Sequence, residues 1–367
     1  MLKKGRVVNM NNYYRTWHRV ELTFFLLILS LLFLFSVCSA EDFIGHQEGE
    51  VTEVYDKDGN YIFGTAHGVT EGDRYISSDN IEYIIEEIDE GRAEAVREGE
   101  VDLLEGSAEE VAALPPLAED GEKSIGIYHT HNGESYRPGP ESEEGNGDIF
   151  EVGKTLKNNL EKKRIDIIHS DRLHLPHDGA AYERSRATAV ELAGDGVDAI
   201  FDLHRDAIPR REEYLERVNR QLISQVRIVI GRQNPSNNVN EEFARRLKAV
   251  ADEYYPGLVR DIFYGRGNYN QQVSSQSLLL EFGTHVTSKE QAQASAVMMA
   301  DTLNRLLYGA ETPDVQEAER RSSIPVIFWI LLTAVAGIAF YLFINKGSWE
   351  EVLDAVRSFF GRLTTGD

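Results

Sequence analysis

Between residues 123 and 307, short apolar runs alternate with longer stretches in which apolar positions recur at helical spacing. The short runs predict strands at 124–128, 165–168, 199–203, 226–230 and 277–282. The periodic stretches predict helices over 149–163, 180–193, near 240–253 and over 288–307. In the first helix Val152, Leu156 and Leu160 fall on one face. This alternation predicts an α/β fold with a mostly parallel or mixed sheet. Before it, residues 50–102 read as a small β-rich unit. Strands at 51–55 and 61–63 flank Asp58, Gly59 and Asn60, which supply hairpin-turn conformations, and further strands are expected at 73–76 and 81–88. Residues 103–123, rich in Glu and Ala and carrying Pro115 and Pro116, read as a linker.

Two longer runs change the picture. Residues 22–38 are uncharged and follow Lys3, Lys4, Arg6, Arg15 and Arg19, the pattern of a signal sequence or of an anchor with its basic end inside. Ser39 and Ala40 are small enough for cleavage before Glu41, and both the cleaved and the retained forms fit. Val37 before Cys38 suits lipid attachment poorly. Residues 324–344 are apolar around the whole circumference and long enough for a bilayer, which needs about 20 residues; Trp329 and Tyr341 suit an interface. The region between the two runs is then expected on the outer side of the membrane. The tail, with Trp349, Val352, Leu353, Val356, Phe359, Phe360 and Leu363 at helical spacing, suits the inner membrane surface or a docking partner. The expected organisation is a basic start and signal/anchor segment over 1–40, an acidic β-rich unit and linker over 41–122, a catalytic domain over 123–309, a linker over 310–323, a transmembrane helix over 324–344 and an amphipathic tail over 345–367.

Charge and cysteine content narrow the chemistry. The formal net charge is -23, and residues 41–120 alone hold 24 acidic against 4 basic side chains. That balance opposes a nucleic-acid partner. A single cysteine, Cys38, excludes an internal disulfide framework and a cysteine zinc site, so any metal must be held by histidine and carboxylate.

Three segments place His or Glu where an apolar strand ends, the position at which ligands gather in open α/β sheets. They carry His129 and His131, then His204, then Glu281. In an extended chain the imidazoles of His129 and His131 would point the same way, whereas a turn separates them. Glu151 opens the first helix of the domain and is a candidate ligand, although an acidic residue there also suits the helix dipole. Glu134 competes for the same role. The set His131, Glu151 and His204 would leave a fourth position open, as in catalytic zinc sites, where the bound water has a pKa of about 7. Glu281, flanked by apolar residues, needs a partner. Its natural role is general base toward the water and proton donor to the leaving amine, the alternative being a buried pair with an arginine. Arg205 and His285 are candidates for oxyanion or substrate binding. His46 and His67 stand alone and read as surface or packing residues, while His169, His174 and His177 read as cleft rim or surface.

Taken together, the segments at 127–136, 202–206, 229–235 and 279–283 resemble the stage II sporulation protein P family, a branch of the zinc-dependent N-acetylmuramoyl-L-alanine amidases. The resemblance covers most of residues 50–307. It implies an amidase domain with a phosphorylase/hydrolase-like fold, bound Zn2+ and a membrane-anchored enzyme of spore formation acting on peptidoglycan, with associated endopeptidase activity. It also implies work alongside stage II sporulation proteins D and M during engulfment, in the intermembrane space of the sporulating cell. Carried over by position, the zinc ligands are His131, Glu151 and His204 and the catalytic carboxylate is Glu281. The second hydrophobic run departs from a single-anchor topology. Two other readings are a zinc peptidase or carboxypeptidase of wall peptides and a non-catalytic wall-binding assembly protein. The presence of His131, His204 and Glu281 speaks against the last.

Overall fold

Strand-forming runs of Val, Ile, Phe and Tyr build one mixed sheet of eleven strands, seen in a computed structural model that describes residues 51–104 and 122–309, with residues 344, 348–350, 353, 354 and 357. In chain order the elements are β1 (Thr52–Tyr55), β2 (Tyr61–Thr65), β3 (Arg74–Ile76), β4 (Ile81–Asp89), β5 (Arg92–Glu100), β6 (Ser124–Tyr128), α1 (Asp148–Glu161), β7 (Asp166–His169), α2 (Ala181–Gly194) and β8 (Ala199–Asp206). There follow a hairpin of β9 (Leu215–Val218) and β10 (Gln221–Ser224), then β11 (Val226–Gly231), α3 (Asn237–Tyr254), β12 (Val259–Gly265), β13 (Ser277–Thr284) and α4 (Lys289–Tyr308). The sheet order is β2-β1-β5-β4-β3-β12-β11-β13-β8-β6-β7.

The expected α/β alternation is present, and the β1–β2 hairpin forms with Gly59 at φ 83° in its turn. The β-rich segment does not stand apart from the α/β part: β3 pairs antiparallel with β12, so its strands extend the same sheet. Three features lay outside the expected pattern. Strand β12 is buried along its whole length although Arg260 and Asp261 interrupt its apolar run, β5 is rich in charged residues, and the β9–β10 hairpin is built of two strands of only four residues each. The expected spans at 22–38 and 324–344 lie outside the described residues apart from Ile344. Among the described residues no helix is long and apolar enough to cross a membrane.

One face of the sheet buries Ile125, Ile127, Phe201, Leu203, Leu278 and Leu280 against α1, α3 and α4, where Val152, Leu156 and Leu160 form the apolar stripe of α1. The opposite face packs Tyr128 and Ile200 against Ala189 and Leu192 of α2, and Val229, Leu279 and Phe263 against Phe63 and Tyr75. Register decides which side chains share this second face. Parallel β8 and β13 align Asp202 with Leu279 and His204 with Glu281, while antiparallel β11 aligns Arg227 with Glu281. Aligned residues of adjacent strands project to the same side, and every second residue of a strand does so too.

Arg227 carries a charge through the middle of that face. It is 0% exposed; its guanidinium meets Asp261 at 2.8 Å and Asp206 at 3.0 Å and donates to the Gly64 carbonyl at 3.2 Å. Burial acts against the charge, but Asp261, Tyr214 and Asp206 outweigh it and hold the pKa well above the ordinary value. Breaking a buried pair by removing one partner costs about 3–5 kcal/mol because the other charges stay buried. Arg227→Leu is therefore expected to lower stability by that amount at pH 7, read as a reduced urea midpoint with an unchanged slope; an unchanged midpoint would refute it.

Candidate metal centre

The segment after β6 folds back immediately, which sorts its two histidines. The Glu134 amide donates to the His131 carbonyl at 3.3 Å, closing a turn, and the Glu143 amide donates to Gly133 at 2.8 Å, so the chain returns as a narrow loop into α1. His131 and Glu134, three residues apart on this turn, converge with Nδ1 3.3 Å from Oε1. His204, from the end of β8, brings its Nδ1 to 3.4 Å from the same Glu134 oxygen. One donor atom from each of His131, Glu134 and His204 lies within 4.8 Å of the others, and all three side chains are buried. Two imidazoles and a carboxylate at this spacing are a donor set that suits zinc.

The charges of this cluster also fit a cation. Burial works against a protonated His204, but the Asp202 and Glu134 carboxylates outweigh it and raise its pKa to about 10. Burial likewise opposes charge on Glu134, yet His204, His131 and Arg205 hold its pKa well below the usual range. In His131 burial dominates and the pKa falls. Without metal, a proton on His204 thus neutralises part of the carboxylate charge, and metal must displace it. Asp202 Oδ1 lies 3.0 Å from His204 Nε2 and accepts the Thr130 amide at 2.8 Å. A carboxylate behind a ligating imidazole fixes its ring orientation and raises its basicity.

Glu151 is not part of this set. It lies on the outer side of α1, about half exposed, paired with Lys154 at 2.8 Å. The first-turn position satisfies the helix dipole without turning the side chain to the strand ends, and Glu134 takes the place expected for it. His129 points to the other side of the turn. Its Nδ1 donates to the Leu203 carbonyl at 3.0 Å, leaving Nε2 to accept from His169 Nε2 at 2.8 Å. This pair packs on Gly153, where a Cβ would lie 2.9 Å from both rings. Arg205 is tied to the loop: its amide donates to Glu134 at 2.7 Å and its guanidinium to the carbonyls of Ser135 and Glu141. His285 is buried, 3.6 Å from Glu141, and burial lowers its pKa.

Glu281 is 1% exposed and lies on the strand beside His204, on the same face. Its partner is no arginine: His67 Nε2 lies 2.7 Å from Oε1, and the Tyr214 oxygen, whose proton goes to Asp206 at 2.9 Å, lies 3.4 Å from Oε2. His67, read from the sequence as an isolated surface or packing residue, is thus buried against Glu281. His177 stacks on His131 with ring centroids 3.9 Å apart, and Tyr182 stacks on His204 at 6.1 Å. His174 is buried as a brace, donating to the His129 carbonyl at 2.7 Å and accepting from Thr188 at 2.8 Å. His46 lies outside the described residues.

A mixed α/β sheet with a buried His/Glu/His cluster and a carboxylate on the neighbouring strand defines a protein with a candidate metal centre. The family model described as Stage II sporulation protein P (SpoIIP) matches residues 55–304, and the chain belongs to that family. Stage II sporulation protein P of Bacillus subtilis (strain 168) is 26% identical over 244 residues, covering 60% of this chain; the chain spans 61% of that relative's length. Among solved structures, the N-acetylmuramoyl-L-alanine amidase AmiC2 of Nostoc punctiforme overlays with a TM-score of 0.31 at 14% identity, covering 52% of this chain and 98% of its own. The N-acetylmuramyl-L-alanine amidase Ami1 from Mycobacterium smegmatis overlays at 0.35 and 14% identity, covering 53% and 100%.

Zinc titration separates the roles. Glu134→Ala is expected to weaken zinc binding by more than about 100-fold, Asp202→Asn by about 10–100-fold as an outer partner, and Glu151→Gln not measurably; a loss confined to Glu151→Gln would overturn the assignment. The His129–His169 pair has a signature in stability. Burial, helped by His129 and two lysines, lowers the His169 pKa to about 3, from 6.5. Between those values the unfolded chain binds the extra proton, so this contribution is complete above pH 6.5 and is lost as pH falls through the window. The melting temperature of His169→Phe should therefore fall less steeply than wild type between about pH 6.5 and 4; parallel curves would count against it.

Proposed function

We propose that this chain is a membrane-anchored, zinc-dependent N-acetylmuramoyl-L-alanine amidase that cuts peptidoglycan during engulfment in spore formation. The observation that carries the reading is the buried His131, Glu134 and His204 set beside Glu281, in a chain of the stage II sporulation protein P family. His131, Glu134 and His204 would hold the ion. Zinc bound there supplies a Lewis acid and a water whose pKa is lowered to about 7. Glu281 takes the proton of the attacking water and passes it to the leaving nitrogen. The amide C–N bond breaks to give a lactyl carboxylate on the glycan and a free amino group on the stem peptide. Asp202 keeps the His204 ring turned toward Glu134, and Arg205 keeps the Glu134 loop in place.

Endopeptidase activity, anchoring through 22–38 and 324–344, a catalytic part on the extracytoplasmic side and assembly with stage II sporulation proteins D and M belong to the same proposal. They rest on the family and on the sequence pattern. Mass analysis of fragments released from purified cell wall tests the chemistry. Free stem peptides beginning with L-alanine are expected; cut cross-links with the lactyl amide intact would replace the amidase by a peptidase, and no release would sink both. Glu281→Gln is expected to keep zinc and lower turnover by about 100-fold or more, whereas His204→Ala should lose zinc.

A further inference from the structure

We propose that His67 is a positioning residue for Glu281, so that the β-rich segment before the α/β part supplies a working piece of the site. The inference rests on the amidase reading, with Glu281 as the general base. Its starting point is the bond between His67 Nε2 and Glu281 Oε1, 2.7 Å long across 214 residues of sequence, between side chains 2% and 1% exposed.

The Tyr214 hydroxyl oxygen is 3.4 Å from Glu281, near the limit of a useful hydrogen bond, and its proton goes to Asp206 at 2.9 Å. The short bond to His67 is therefore the contact that holds the carboxylate in one rotamer. A general base misplaced by about 1 Å can lose a factor of about 100 in rate, so the fixity of this side chain matters as well as its presence.

His67 is itself held. Its ring packs against Phe263 at 5.9 Å and edge-on to Tyr269 at 6.0 Å. Its amide donates to Thr65 Oγ1 at 3.1 Å, and the preceding Ala66 amide donates to Asp206 Oδ1 at 3.3 Å. Arg227 holds the Gly64 carbonyl, and the Gly64 amide donates to Glu213 at 3.1 Å. Each of Asp206, Glu213, Arg227 and Phe263 belongs to the α/β part. The end of β2 is thus fastened to the site end of the sheet on several sides, and the histidine it delivers meets the carboxylate. A residue that merely filled space would be replaceable by an apolar side chain of similar size; one that orients a base would not.

The test uses the full chain and a soluble muramoyl-peptide fragment as substrate. His67→Leu and His67→Gln are compared with wild type for kcat, KM, zinc content and thermal unfolding. His67→Leu is expected to lower kcat by about 10–100-fold, the range for partners that orient a working side chain, with KM and zinc content unchanged. His67→Gln, whose amide N–H can reach the place of Nε2–H, should recover most of the loss. A kcat for His67→Leu within about twofold of wild type overturns the proposal, as does a Gln variant no better than Leu although folded, or a loss of kcat matched by loss of zinc. A wild-type protein that cleaves nothing overturns the amidase reading and this proposal with it; an active wild type with an unaffected His67→Leu overturns this proposal alone.

Discussion

The arrangement depends on one buried cation. Arg227 lies on a central strand with carboxylates on two sides and the rings of Phe63, Tyr214 and Phe263 within 6 Å of its guanidinium carbon. An arginine in such a place is tolerated only if its donors are used, and here they reach β12 through Asp261, the end of β8 through Asp206 and β2 through Gly64. Asp206, neutralised by that contact, also accepts the Tyr214 hydroxyl at 2.9 Å and the Ala66 amide. Tyr214 and the residue after Ala66 both lie against Glu281. The guanidinium therefore ties the frame of the sheet to the surroundings of the site's carboxylate.

Around the cluster of His131, Glu134 and His204, a second economy of charge operates. Glu134 serves both imidazoles with one oxygen, while its other oxygen accepts the Arg205 amide. Asp202 takes the far side of His204 and ties it to Thr130, next to His131. His204 and Glu134 are thus each braced by a group one step outward, and both braces, Asp202 and Arg205, come from β8.

Strand-end chemistry was readable in the sequence because a polar residue closing an apolar run is costly unless used; His204 and Glu281 announced themselves this way. His131 was legible by its place in the loop, since it stands beyond the strand while His129 still borders it. Glu134 was visible only as a competitor of Glu151. What decides between them is the 131–134 turn, a three-residue separation that brings side chains together only once the backbone bends. His67 carried no local signal: it follows a short strand without a cluster around it, and its importance comes from pairing across 214 residues. Likewise β12 was hidden because Arg260 and Asp261 look unsuited to a buried strand until Arg227 and Glu213 are seen beside them.

The span of that last pairing sets an order on how the protein can come into being. His67 is made early and Glu281 late, with β8, the hairpin, β11 and β12 between them. Contacts so distant in sequence form slowly, since the loop they close is long. No growing chain that stops short of β13 contains the whole site, and the loop bearing the first histidine must wait for the strand that will receive it. The pairing of His67 with Glu281 is complete only when β13, the last strand of the sheet, is in place.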